Sequence, residues 1–248
     1  MKPAVLVGIA LLLGAAAFAG SGKITKQSIS SGGKNRVYYQ FLPDLPSDGR
    51  RIPLILALHG SGRDGSVLLE KWKKLATAEG IILVGPDAQN SAGWAAPGDG
   101  PEFLHDVVQK VAADYPIDPR RVYLFGHSAG ACFALAMSMW ESQYFAATVV
   151  HAGAFRNPTE LSSIDAAKRK IPVSIFVGTA DPFFPLTLVR FSRDALERAA
   201  IPVTLTEIPN HDHDYYTWSA QINRDAWSFL RDKQLPSEPK YEAHRFVQ

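Results

Sequence analysis

From residue 53 onward the chain alternates short, almost wholly apolar runs with longer stretches in which apolar residues recur at helical spacing. The apolar runs fall at 53–58, 81–84, 122–125, 146–150 and 172–177, a further strand is expected at 203–207, and helices are expected at about 67–79, 102–115, 129–140, 186–199 and in a last segment reaching about 230. Runs with no polar alternation suit strands covered on both faces, so the pattern predicts an α/β fold with a mostly parallel central sheet and helices on both faces. Ahead of these runs, residues 24–29 and 36–42 alternate apolar and polar positions around Ser31-Gly32-Gly33, as an antiparallel hairpin at a sheet edge would. Residues 86–100 form a long loop rich in Gly, Pro, Ala and Asn with one large side chain, Trp94.

Composition adds little to this picture. With 248 residues, 46% of them hydrophobic and 20% charged, the chain can bury one large core, and a single domain is expected over 20–248, with a flexible tail from about 235. A formal net charge of +2 with scattered Lys and Arg gives no reason to expect a nucleic-acid partner. The amino terminus is more telling. Lys2, an apolar run to Phe18 and the small-x-small triplet Ala17-Phe18-Ala19 read as a secretory signal peptide over 1–19, with an uncleaved anchor as the alternative. The protein is therefore expected to be secreted or periplasmic, with no stable membrane association once the signal is removed. The single cysteine, Cys132, allows no intrachain disulfide, so an exported chain must be held by its core alone.

The chemistry gathers where the apolar runs end. In a parallel sheet, functional groups collect beyond the carboxyl ends of the strands. The run at 122–125 passes into Gly126-His127-Ser128-Ala129-Gly130, a G-x-S-x-G pattern in which two glycines let strand and helix approach while Ser128 is pushed out at the tip. Other runs end at His59-Gly60-Ser61-Gly62, at Asp181 and just before Asn210-His211-Asp212-His213-Asp214. A serine hydroxyl is a weak nucleophile at neutral pH, so it needs an imidazole to take its proton and a carboxylate to orient that imidazole. Ser128, Asp181 and either His213 or His211 fit these roles in the chain order Ser, Asp, His, with Asp212 as a second choice of acid. The backbone N–H of Ala129 and one from the Gly60-Ser61 loop are the expected oxyanion donors. Trp94, Phe183 and Phe184 stand in loops on the same side, where they either line a substrate pocket or anchor their loops, and His151 is either substrate-facing or a buried hydrogen-bonded ring. His127 and His59 are expected to pack rather than to react.

The run Pro116-Ile-Asp-Pro-Arg-Arg-Val-Tyr-Leu-Phe-Gly-His-Ser-Ala-Gly130, with Leu58-His-Gly60 before it and Phe145-Ala-Ala147 after it, resembles the secreted α/β-hydrolases grouped as polyhydroxybutyrate depolymerase-like and feruloyl esterase-like enzymes. The segment Asp212-His-Asp-Tyr-Tyr216 is similar to the Asp-His-Ser-Tyr-Tyr stretch around the catalytic histidine of esterase D-type enzymes, which favours His213 over His211. The resemblance covers nearly the whole mature chain. It implies an α/β-hydrolase fold and a serine-dependent ester hydrolase of feruloyl, acetyl or hydroxyalkanoate type, needing no metal or other cofactor and taking small-molecule or polymer-derived esters. A peptidase on the same scaffold, or a non-catalytic relative that binds a glycan or polymer, are the competing expectations. Two departures stand out. The segment Asp99-Gly-Pro-Glu102 lacks the paired aspartates, and the histidine segment lacks the Gly-Gly-His-Trp form, of the depolymerase-like group.

Overall fold

The computed structural model describes residues 22–246, so the expected signal segment lies outside the described residues. Eight strands form one sheet: β1 (Ile24–Ser31), β2 (Lys34–Phe41), β3 (Ile52–Leu58), β4 (Ile82–Pro86), β5 (Ile117–His127), β6 (Ala147–His151), β7 (Val173–Gly178) and β8 (Val203–Ile208). Their order across the sheet is β1-β2-β4-β3-β5-β6-β7-β8, with β1 and β2 antiparallel and every pair from β4 onward parallel. The helices are α1 (Ser66–Glu79), α2 (Pro101–Asp114), α3 (Ala129–Trp140), α4 (Pro158–Ser162), α5 (Leu186–Arg198) and α6 (Tyr215–Leu230).

Alternation along the strands builds two apolar layers. Leu54, Leu56 and Leu58 of β3, with Val122 and Leu124 of β5, face the side covered by α2, α3 and α5. Ile55 and Ala57 of β3, with Tyr123 and Phe125 of β5, face the side covered by α1 and α6. Because successive side chains point to opposite faces, a strand sandwiched between helices must be apolar at every position, and all seven residues of β3 are buried. Gly80 ends α1 in the left-handed region, at φ 68°, with its N–H on Ala76 O, which explains the sharp stop read from the sequence.

Two elements differ from expectation. β5 begins at Ile117, not near Val122, so Pro119 lies inside a strand. Its ladder with β3 shifts register between Ile117 and Val122, so Pro119 falls in an irregular stretch where it interrupts no regular pairing. The connection between β6 and β7 also contains α4 and a following 3-10 turn, Ser163–Ala166, too short to leave an amphipathic signature. Beyond α6, the residues expected to form a flexible tail run without regular structure along α3. The Glu242 and His244 amides donate to the two oxygens of Glu141 at 2.7 and 2.8 Å, and His244 stacks on Trp140.

Candidate active site

Strand order fixes where a site can form. The chain leaves β3 for β4 on one side and later returns to β5 on the other, so the loops following β3 and β5 diverge and open a crevice between them. Ser128 stands at that crevice with φ 57° and ψ −119°, a left-handed backbone that costs about 1–3 kcal/mol and survives only where its surroundings enforce it. The flanking glycines are part of that enforcement. A Cβ on Gly130 would stand 2.0 Å from Leu58 O, and one on Gly126 would stand 2.4 Å from Gly130 O. Only bare backbone lets α3 press against the end of β3 while starting directly from β5.

Three distant side chains meet here. Ser128 Oγ lies 3.0 Å from His213 Nε2, and His213 Nδ1 lies 2.8 Å from Asp181 Oδ2. The other carboxylate oxygen of Asp181 accepts the amides of Phe183 and Phe184 at 2.8 and 3.0 Å, which leaves Oδ2 for the imidazole. Burial by itself would raise the Asp181 pKa, but the hydrogen bonds from His213, Phe184 and Phe183 outweigh it and hold the carboxyl below its usual range. The histidine segment comes this close because Gly178, at the end of β7, has no side chain. A Cβ there would stand 2.0 Å from His211 O, and that carbonyl instead accepts the Ala180 amide at 2.9 Å.

The loop after β3 lies against the serine. A Cβ on Gly60 would be 3.3 Å from Ser128 Cβ, and Gly60, Ser61 and Ala129 all line the cleft. His59 fixes this loop: its Nδ1–H donates to Gly60 O at 2.8 Å and its Nε2 accepts the Ala88 amide at 3.2 Å. With the Gly60 carbonyl turned to His59, the Ser61 N–H of the same peptide plane points the opposite way. Ala129 opens α3, where an amide has no acceptor within the helix. The cleft is about 720 Å³ and is also lined by Arg63, Phe183 and Tyr216.

The other expected site residues divide between the cleft and its surroundings. Phe183 and Phe184 both line the cleft: Phe183 is exposed and packs edge-on to the His213 ring, whereas Phe184 is buried and stacks on it. Trp94 donates its indole N–H to His59 O at 2.9 Å, stacks on Phe133 and lines a neighbouring cavity rather than the serine cleft. That cavity, about 1290 Å³, shares Arg156 with the cleft. His151 needs correcting as a substrate contact: it is completely buried, with Nδ1 3.0 Å from His127 Nδ1 and Nε2 2.9 Å from His211 Nε2. His211, the alternative base, spends its Nε2 on that contact and does not reach Ser128. Burial lowers the pKa of all three rings, with the nearby His213 adding to the effect for His127, which falls to about 3. Arg63, Arg156 and the histidine row left no signal in the spacing of the sequence, since each depends on which loops meet.

A family model described as phospholipase/carboxylesterase matches residues 101–229, more than half of the chain. The chain belongs to the phospholipase/carboxylesterase family. The matched segment runs from α2 to the end of α6 and so contains Ser128, Asp181 and His213. The bifunctional acetylxylan esterase/xylanase of Neocallimastix patriciarum is 28% identical over 178 residues, covering 67% of this chain and 26% of that protein. Poly(3-hydroxyalkanoate) depolymerase C of Paucimonas lemoignei is 28% identical over 150 residues, covering 54% of this chain and 36% of that protein. The chain thus spans about a quarter to a third of the length of these two curated relatives. Among solved structures, a ferulic acid esterase of Anaeromyces mucronatus superposes with a TM-score of 0.68 at 18% identity, over 85% of this chain and 90% of that one. This phospholipase/carboxylesterase family member has the α/β-hydrolase fold.

Proposed function

We propose that the protein is a serine-dependent carboxylic ester hydrolase acting through an acyl-enzyme. The observation that carries the reading is the continuous path Ser128 Oγ, His213 Nε2, His213 Nδ1, Asp181 Oδ2, with steps of 3.0 and 2.8 Å across the open ends of β5 and β7. Ser128 is the nucleophile: its oxygen bonds to the ester carbonyl carbon as its proton passes to His213 Nε2. Asp181 accepts the Nδ1–H, keeps Nε2 free as the base and stabilises the imidazolium that forms. The charge gathering on the former carbonyl oxygen is met by the amides of Ala129 and of the Gly60-Ser61 loop. His213 then returns the proton to the departing alcohol, and a water repeats the sequence to release the acid and restore Ser128.

The substrate class is the finer part of the proposal: feruloyl, acetyl or hydroxyalkanoate esters attached to a larger or polymer-derived group. The cleft of about 720 Å³ is the size of an ordinary small-molecule site, and a second cavity of about 1290 Å³ that shares the lining residue Arg156 lies beside it, where a larger attached group would have room. The names of the two curated relatives, an acetylxylan esterase and a polyhydroxyalkanoate depolymerase, point the same way. Export is part of the reading and rests on Lys2 and the apolar run that follows it. Among the described residues, no helix is long and apolar enough to cross a membrane.

Ser128→Ala should lower turnover of short p-nitrophenyl esters by about 10⁴-fold or more and abolish labelling by a fluorophosphonate probe, with the circular dichroism spectrum unchanged. Unaltered turnover in that variant would end the proposal. A panel of acetyl, butyryl, feruloyl and 3-hydroxybutyryl esters beside matching amides then separates the ester classes from a peptidase.

A further inference from the structure

Three histidines that take no part in the reaction above lie in a row under it. His127 and His151 are register partners at the carboxyl ends of β5 and β6, which brings their Nδ1 atoms to 3.0 Å, and His211 closes the row with its Nε2 2.9 Å from His151 Nε2. All three are 5% exposed or less. Rings so deeply buried stay neutral, and a neutral imidazole carries one N–H.

Proton counting then restricts the row. Each of the two contacts needs one hydrogen, and His151 can supply only one of them. If His151 donates from Nδ1 to His127, then His211 must donate from Nε2 to His151, and the His127 proton sits on Nε2. If His151 donates from Nε2 to His211, every direction reverses: His127 donates from Nδ1, and the His211 proton is forced onto Nδ1. No third arrangement keeps both hydrogen bonds.

The far end chooses between the two. His211 Nδ1 is buried and has no hydrogen-bond partner among the described residues. The reversed arrangement leaves a buried N–H without an acceptor there, whereas the first leaves only a lone pair, and orphaned buried N–H groups are the rarer and costlier of the two. The near end is the substrate cleft. His127 lines it, with its Cδ2 3.3 Å from where a Gly60 Cβ would stand and its ring centroid 5.0 Å from that of His213.

We propose that His211 and His151 are positioning residues that fix His127 as its Nε2–H tautomer, so that the cleft beside Ser128 and Gly60 carries a neutral N–H donor of set direction. Its partner is an oxygen of the bound ester. A donor beside the oxyanion loop favours charge accumulating on substrate oxygen, whereas the opposite tautomer would present a lone pair that repels it. The inference rests on the hydrolytic reading for its consequence, but the wiring itself is independent of it.

The test is ¹⁵N NMR of the imidazoles in the full chain. The expected pattern is a protonated Nε2 on His127, a protonated Nδ1 on His151 and a protonated Nε2 on His211; the reversed pattern, or a cationic ring in the row, overturns the proposal. His211→Glu places a carboxylate acceptor against His151 Nε2 and draws the His151 proton to that nitrogen, so His127 should switch to its Nδ1–H tautomer and kcat/KM for p-nitrophenyl butyrate should fall about tenfold. If His127 keeps its Nε2 proton in folded His211→Glu, or if kcat/KM is unchanged there, the row is packing alone. Fluorophosphonate labelling of Ser128 is expected in every variant, and its absence from the unsubstituted protein would refute the nucleophile assignment while leaving the tautomer pattern to be read.

Discussion

His213 and Asp181 share one hydrogen bond of 2.8 Å, and it uses only one of the two carboxylate oxygens, because the amides of Phe183 and Phe184 occupy the other. The turn that starts α5 therefore orients the acid before the histidine reaches it. Replacing Asp181 with Asn keeps an oxygen for the two amides but turns an N–H₂ toward His213 Nδ1, which selects the wrong tautomer. The expected outcome is a fall of about 10⁴-fold in kcat with the fold preserved, read from ester turnover beside circular dichroism. A loss of less than tenfold would remove Asp181 from the proposed machinery.

The same carboxylate sets an acid limb of stability. Its pKa in the folded protein lies below its ordinary value because the hydrogen bonds it accepts outweigh the burial that opposes them. A depressed acid stabilises the fold above its unfolded pKa, about 3.9, and that contribution fades as pH falls through the lower folded value. Urea denaturation of the protein and of Asp181→Asn should show a stability gap at pH 6 that narrows below about pH 4. A gap of constant size would contradict this account.

Gly178 is where the sheet makes room for the histidine segment. Alanine there would place a Cβ 2.0 Å from His211 O and 2.7 Å from Asp212 O, and backbone cannot give way as a flexible side chain can. Gly178→Ala should cost about 1–3 kcal/mol of stability and shift His213 enough to lower kcat/KM by about 100-fold. The check pairs denaturant midpoints with ester kinetics, and near-normal activity would mean that the segment adapts without moving His213.

The loop carrying Trp94 is tied down by Asp99. This buried carboxylate accepts Arg36 Nη2 at 2.7 Å and the amides of Gln89 and Ala95 at 2.8 and 2.9 Å. Asp99→Ala leaves the buried Arg36 guanidinium with the Gly98 and Asp87 carbonyls but without its paired carboxylate, for an expected loss of about 3 kcal/mol in chemical denaturation. It should also change tryptophan fluorescence as the loop loosens over Phe133. Unchanged stability would show that the Gly98 and Asp87 carbonyls alone satisfy Arg36.

Glu141 holds the carboxyl-terminal segment. Because its two oxygens each accept one amide, from Glu242 and from His244, an amide side chain can satisfy only one of them. Glu141→Gln should speed hydrogen exchange at both amides by about tenfold or more as the segment releases from Trp140. Equal protection in the two proteins would assign the docking to the aromatic contacts alone.

The strand and helix pattern could be read along the chain because burial on both faces leaves a mark at every position of β3 and β7. The serine turn was legible for a similar reason: two glycines in five residues record two backbone contacts. The run at 122–125 marked only part of β5, because the ladder with β3 is irregular between Ile117 and Val122 and holds Pro119 there. His59 was read as packing, yet it holds the Gly60 carbonyl and thereby aims the neighbouring amide. His151 was read as substrate-facing or buried, and register with His127 made it buried. Asp99 and Glu141 carry polar side chains whose partners lie 63 and up to 103 residues away, distances at which local pattern is silent.

By itself, the sequence determined which segments are strands and helices, that their loops gather on one side, and that a serine, an aspartate and a histidine follow strand ends in that order. Those properties are recorded residue by residue in side-chain polarity and in backbone freedom. Which of two histidines meets the serine, which oxygen of Asp181 is free to receive it, and which three imidazoles form a row were decided only by tertiary structure. The reason is geometric: hydrogen bonds act over about 3 Å, and groups far apart along the chain reach that distance only after strand order and register have been set.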